Sequence, residues 1–154
     1  MAEVKRTYAR WNKRLLSVFD ATERCYKWAL FDREPLERWS RNRVTLLGDS
    51  AHAMLPYLAQ GAAQSLEDAC VLAAQIESTP EDLDGALRRY EQRRIPRTRR
   101  VQLGARARGK SNHLPSAWGR FWRDARLALR RRLAPNATLH AAEWIYSYDV
   151  TRPD

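Results

Sequence analysis

The hydrophobic pattern changes period several times along the chain, and each change predicts an element. From Val4 to Phe19 the apolar positions Tyr8, Trp11, Leu15, Val18 and Phe19 recur at helical spacing, while Lys5, Arg6, Arg10, Lys13 and Arg14 fall mostly elsewhere. That predicts one amphipathic helix. Cys25 to Phe31 is aromatic and apolar enough for a strand, which Asp32-Arg33-Glu34-Pro35 ends because proline cannot continue a ladder. Val44-Thr45-Leu46-Leu47, between Arg43 and Gly48, is too short for a helix and has no polar alternation. It reads as a strand buried on both faces, as in a parallel sheet. After a loop, Ala62, Leu66, Ala69, Cys70, Ala73 and Ile76 return to helical spacing, with side chains small enough to let that helix lie against a neighbouring backbone.

Beyond this point the pattern is helical throughout. Ser78-Thr79-Pro80-Glu81-Asp82 has the composition of a helix start, with a hydroxyl cap, a proline in the first turn and acids near the positive end of the dipole. Leu83, Leu87 and Tyr90 mark a buried stripe, and Pro96 is expected to kink or break the helix beyond Ile95. Val101, Leu103 and Ala105 continue with weaker periodicity towards Gly109, and Trp118, Phe121, Trp122, Leu127 and Leu129 form a last apolar set before Leu133-Ala134-Pro135-Asn136. The fold class that follows is α/β, mostly helical after the last strand, with no internal repeat.

Composition narrows this further. At 154 residues and 44% hydrophobic the chain has room for one domain with a modest core. Met1-Ala2-Glu3-Val4-Lys5 lacks the apolar core of a signal peptide, and no run is long enough to cross a bilayer, so a cytoplasmic protein is expected. Cys25 and Cys70 stand in unrelated settings and read as ordinary buried thiols, with neither a disulfide nor a metal site implied. The net charge of +10 comes from Arg88 to Arg132, a region rich in arginine and nearly free of acids. It admits a nucleic-acid grip, a membrane-surface helix or a solvated helical face, and the solvated face is favoured because no nucleic-acid module accompanies it.

The candidate chemistry lies between Gly48 and Asp68. Asp49 falls just past the carboxyl end of the expected strand, where open α/β sheets hold their ligands, although alone it could simply cap a turn. The helix that begins after Gly61 would present free amides and partial positive charge to a phosphate or an electron-rich ring. Asp49 and His52 are too few ligands for zinc, Ser50 and His52 are too close in sequence for a triad, and His52 occupies the position where a nucleophile elbow needs glycine. His52 therefore reads as structural, and Gln60 reads equally as a loop amide or as part of a site.

Taken together, Arg43-Val44-Thr45-Leu46-Leu47-Gly48-Asp49-Ser50-Ala51-His52, then Pro56 and Gln60-Gly61, resemble the second FAD-binding motif of the single-component flavoprotein aromatic hydroxylases. Leu55 to Ala63 is most similar to the salicylate hydroxylase and 3-hydroxybenzoate 6-hydroxylase type. Cys25 to Leu36 resembles the segment that enters this motif, and Tyr146-Ser147-Tyr148-Asp149 resembles the family's carboxyl end. The resemblance implies the C-terminal portion of a Rossmann-like FAD-binding domain, with residues 1–36 as the end of the substrate-side region and crossover and residues 37–154 as the C-terminal part of the FAD-binding domain. It also implies FAD held by Gly48, Asp49, Pro56, Gln60, Gly61 and Ala62, with Asp49 on the ribityl chain and the amides of Gly61 and Ala62 towards the flavin pyrimidine. The reaction implied is hydroxylation of a hydroxybenzoate-like aromatic acid with NAD(P)H and dioxygen. No residue emerges as a catalytic acid or base.

The pattern also departs from the family. The six glycines form no Gly-x-Gly-x-x-Gly turn for a pyrophosphate, and the family's Asp-Gly motif is missing. Ser50 stands where alanine is usual, Ala59 replaces the first glycine of Gly-Gln-Gly, and Ala63 replaces an asparagine common in the family. A separate chain carrying the amino-terminal FAD-binding part is therefore a partner the resemblance allows. A non-catalytic fragment, or a basic helical nucleic-acid binder, is the competing reading.

Overall fold

The computed structural model describes residues 1–152, apart from the side chain of Thr138, so the last two positions of the expected 37–154 segment lie outside the described residues. The chain divides into two compact units, Met1–Leu30 and Phe31–Asp154.

In the first unit the single expected helix is two, α1 (Ala2–Thr7) and α2 (Lys13–Ala21). The break comes at Asn12, whose side chain accepts the Arg14 amide at 2.9 Å and so starts a new helix. Tyr8 bridges the break, packing edge-on against Trp11 at 4.8 Å and tilted against Phe19 at 5.6 Å. The strand expected at Cys25–Phe31 does not form. Its residues belong to no helix or strand, and Tyr26, Trp28 and Phe31 are exposed. Aromatic character alone cannot make a strand where no ladder partner is supplied.

The second unit carries a hairpin of β1 (Ser40–Arg41) and β2 (Val44–Thr45), followed by α3 (Asp49–His52), a 3₁₀ turn at Pro56–Leu58, α4 (Gly61–Ser78), α5 (Leu83–Asn112), α6 (Ala117–Leu133) and α7 (Ala137–Tyr146). The expected buried parallel strand is thus a two-residue antiparallel one, with Arg41 opposite Val44, and Val44 is 70% exposed. A two-residue connection favours such a hairpin, and Asn42 at φ 53° tolerates the left-handed conformation it needs.

The long helix α5 is the scaffold on which the preceding loops are hung. The Tyr90 hydroxyl donates to the Leu46 carbonyl at 3.1 Å, and Gln102 donates to the Ala53 carbonyl at 3.0 Å. The Glu91 carboxylate accepts the amides of Trp39 and Ser40. Gly109 lets the Tyr57 ring approach so closely that a Cβ there would clash with it. Around Tyr90 the core gathers Trp39, Ala51 and Val71, with Leu36, Leu46, Leu72, Ile95 and Val150 packed against it. The carboxyl end returns to the same helix. Arg97 donates to the carbonyls of Trp144 and Ile145 and lies 3.8 Å from the Tyr148 ring centroid.

Three further expectations are corrected. Pro96 neither breaks nor ends α5, which runs through it, because Tyr90 and Arg94 before it and Arg97 and Val101 after it are all held by packing or ion pairs. The α5 cap is Asp82, which accepts the Gly85 amide at 2.9 Å, and the Ser78-Thr79 hydroxyls bond back to Gln75 of α4. Cys25 and Cys70 are both exposed.

Candidate functional site

The turn from β2 into α3 is built on Gly48. Its φ of 63° and ψ of −140° belong to a region that side chains rarely adopt, and a Cβ there would come within 2.7 Å of the Ser65 hydroxyl oxygen of α4. Glycine is required here on both counts. Ser50 ties the turn internally, its hydroxyl donating to the Leu47 carbonyl at 2.7 Å. This accounts for a serine at the position where the resembling motif carries alanine. The following residue, Asp49, is exposed and sits beside the start of α4, its Oδ1 3.9 Å from where a Gly61 Cβ would lie.

The start of α4 is open. Gln60 occupies its N-cap position without a capping side-chain bond, the first turn holds no acid, and the first intrahelical bond runs from the Gln64 amide to the Gln60 carbonyl at 2.8 Å. The amides of Gly61, Ala62 and Ala63 precede that bond, so they are the donors a helix start leaves free. A carboxylate acceptor and a set of amide donors thus meet on one exposed corner. Such a donor set fits a ligand that offers a hydroxyl to Asp49 and an electron-rich carbonyl to the helix start.

Of the residues expected at the site, Gly48, Asp49, Gly61 and Ala62 are brought to this corner. Pro56 is exposed at the start of the 3₁₀ turn, whose next residues, Tyr57 and Leu58, pack on Gly109 and Gly104 of α5. Gln60 is buried and its Oε1 accepts from Gln64 Nε2 at 3.3 Å, so it is no solvent-facing amide. Ala59 takes a left-handed φ of 52°, the conformation that suits the glycine of the resembling motif.

The sequence reading missed the charged cluster behind the corner. Asp68 is fully buried on α4. Its Oδ2 accepts the Gly48 amide at 3.0 Å and His52 Nε2 at 2.6 Å, and its Oδ1 accepts Arg94 Nε at 2.7 Å. Because a carboxylate only accepts, His52 donates through Nε2, and its buried Nδ1 has no hydrogen-bond partner. Arg94, also fully buried, continues to Glu67 Oε2 at 2.6 Å and Gln64 Oε1 at 2.8 Å, and Arg97 donates to the same Glu67 oxygen at 2.6 Å and to Oε1 at 2.8 Å. Burial pushes the Asp68 carboxyl up, but the bonds from His52, Arg94 and the Gly48 amide outweigh it and hold the group below its ordinary value. Glu67 behaves alike, with Arg97 and Arg94 overcoming its burial. Burial and the nearby Asp68 charge push the Tyr90 hydroxyl well above the usual tyrosine value. A signal for this cluster was present: Leu87, Tyr90, Arg94, Arg97 and Val101 share one helical stripe, so its arginines face inward with the apolar residues.

The arginine-rich region is accordingly only partly a solvated face. Arg94 and Arg97 serve this cluster, and Arg106 pairs with Asp32 at 2.8 Å and Glu34 at 2.6 Å. On α6, Trp118 stacks on Phe121, Trp122 meets both edge-on, and all three stay exposed. Among the described residues no three His, Cys, Asp or Glu side chains gather as a metal set, and no helix is long and apolar enough to cross a membrane.

A model of the FAD binding domain matches residues 20–105. A 3-amino-4-hydroxybenzoate 2-monooxygenase, PtmB3 of Streptomyces platensis, is 42% identical over 148 residues, covering 96% of this chain and 36% of that protein. The crystal structure of Klebsiella pneumoniae HpxO complexed with FAD and uric acid is similar at a TM-score of 0.70 and 34% identity, over 80% of this chain and 33% of the other. A salicylate hydroxylase substrate complex is similar at a TM-score of 0.60 and 33% identity, again over 80% of this chain and 29% of the other. The chain spans about a third of the length of the relatives it matches.

Proposed function

The chain belongs to the FAD-binding-domain family of the single-component aromatic-ring hydroxylases, and on that premise we propose that it supplies the flavin-facing corner of a monooxygenase acting on a hydroxybenzoate-like acid with NAD(P)H and dioxygen. The observation that carries this reading is the meeting of the Asp49 carboxylate with the uncapped start of α4. FAD, when bound, supplies the redox chemistry, namely hydride uptake from the nicotinamide and activation of dioxygen. The protein's share is position and electrostatics. Asp49 accepts a hydroxyl of the ribityl chain, and the Gly61 and Ala62 amides donate to the pyrimidine edge, where fixed dipoles stabilise negative charge without a mobile cation. Gly48 sets the turn that delivers Asp49. Pro56 flanks the flavin side of the pocket and Gln60 anchors the loop between them. Residues 1–36 then form the end of the substrate-side region and crossover, and residues 37–154 the C-terminal part of the FAD-binding domain.

The outer face of α4 supports a further partner. Ala62, Leu66, Ala69, Cys70, Ala73 and Ile76 are exposed together, which makes an apolar seat for the rest of a flavin-binding fold, carried by the same polypeptide or by a separate amino-terminal FAD-domain chain. A cytoplasmic location goes with this reading, since NAD(P)H is abundant there. Salicylate and 3-hydroxybenzoate are the substrates to try first.

The test is to equilibrate the protein with FAD, remove free flavin and record the visible spectrum, then to follow NAD(P)H oxidation with salicylate. Retained flavin that is lost in Asp49→Ala is the expected result. A colourless protein, or flavin retained equally by Asp49→Ala, overturns the assignment of this corner.

A further inference from the structure

Behind the corner lies a contact that reaches from the second turn of α4 to the residue before Asp49. The Gly48 amide donates to Asp68 Oδ2 across 20 residues of chain, and this carboxylate is held from its other sides by His52 Nε2 and Arg94 Nε. Every one of these groups is buried. Gly48 has a backbone conformation that side chains rarely adopt; Ser50 ties the turn from within, and the fixed charge of Asp68 is the long-range group bonded to its amide. The same helix whose first turn offers free amides thereby sets where the Asp49 carboxylate stands in front of them.

We propose that Asp68 is a positioning residue for FAD, fixing the Gly48–Asp49 turn relative to the start of α4, with His52 and Arg94 orienting its carboxylate. The inference rests on the assignment of that corner to FAD. Asp68 itself is walled off from any ligand, and acts only through the backbone that carries Asp49.

Asparagine at position 68 separates this role from a general one in stability. It keeps the volume but has one acceptor oxygen, which the buried Arg94 cation claims, and the amide nitrogen then faces the Gly48 N–H donor to donor. The experiment is an FAD titration, read by flavin fluorescence, of the wild type, Asp68→Asn and the destabilised core variant Leu87→Ala. Each is measured at a temperature where its circular dichroism is that of the folded chain. Amide hydrogen exchange at Gly48 is measured in the flavin-free proteins alongside. The expected result is FAD binding about tenfold weaker in Asp68→Asn, with Gly48 exchange about tenfold faster, and both unchanged in Leu87→Ala. Should Asp68→Asn prove too unstable to purify, Arg94→Lys, which keeps the charge but loses the Nε bond, is expected to weaken FAD binding in the same direction. Equal FAD affinity in wild type and Asp68→Asn, or in wild type and Arg94→Lys, overturns the positioning role and leaves the FAD corner standing. A parallel loss in Leu87→Ala also overturns it, by showing a response to stability alone. A wild-type chain that takes up no FAD overturns the corner and the proposal together.

Discussion

The two faces of α4 use opposite chemistry in opposite surroundings. Towards α5 the helix buries Gln64, Asp68 and Val71, with Glu67 beside them, and the polar members are matched by Arg94 and Arg97. Away from α5 it leaves Ala62, Leu66, Ala69, Cys70, Ala73 and Ile76 in the open, Leu66 being 70% exposed. The apolar stripe was the expected buried side, and it is the polar stripe that is buried. The difference teaches that a small-residue apolar face reports the need for a neighbour, whereas the partner actually present can be charged if it pairs every group. The paired face is what the chain builds for itself, and through Asp68 it holds the Gly48 amide of the turn that carries Asp49.

The largest effect is expected from removing one member of the paired face. Arg94→Leu leaves the fully buried Asp68 without its guanidinium and Glu67 with Arg97 alone, and breaking such a cluster costs about 3–5 kcal/mol. Urea unfolding followed by circular dichroism measures it, and a cost below about 1 kcal/mol would reduce the cluster to a surface-like pair.

Acid should weaken the same face. Asp68 and Glu67 have folded values held below their unfolded ones, so the folded state prefers them ionised. Their contribution is complete above the ordinary carboxylate range near 4 and is lost as pH falls through the folded values. Thermal melting should therefore drop steeply at the acid end in the wild type and less steeply in Asp68→Asn. Equal acid slopes would place the sensitivity elsewhere.

The smallest effect belongs to the open face. Leu66→Ser touches nothing that this chain packs, so its unfolding free energy should stay within about 0.5 kcal/mol of wild type. Its expected consequence is weaker capture of a flavin-domain partner in co-purification. A loss of about 2 kcal/mol or more in the chain alone would mean that the face is already covered.

How much of this was legible in the sequence differs from element to element. The geometry of the corner was legible because its residues are special ones: Gly48 takes a conformation few others can, and Gly61 opens a helix. The stripe of Leu87 and Tyr90 was legible from helical period alone. The strands were less so, because a strand depends on a partner that the local sequence does not encode. Val44-Thr45 pairs with Ser40-Arg41 through a tight turn, and Cys25 to Phe31 finds no partner. Pro96 misled because long-range anchoring on both sides overrides a local helix-breaking preference. The charged cluster escaped because arginines were read as a run of charge, when Arg94 and Arg97 occupy the same inward stripe as Tyr90 and Val101.

Amide hydrogen exchange of α4, measured with and without FAD, tests most directly that this helix faces the flavin. The amides of Gly61, Ala62 and Ala63 precede the first intrahelical bond and should exchange rapidly in the free protein, then slow markedly when FAD is added, while the exposed amide-bonded turns further along α4 change little. Bound FAD that leaves these three amides exchanging as before would contradict the account.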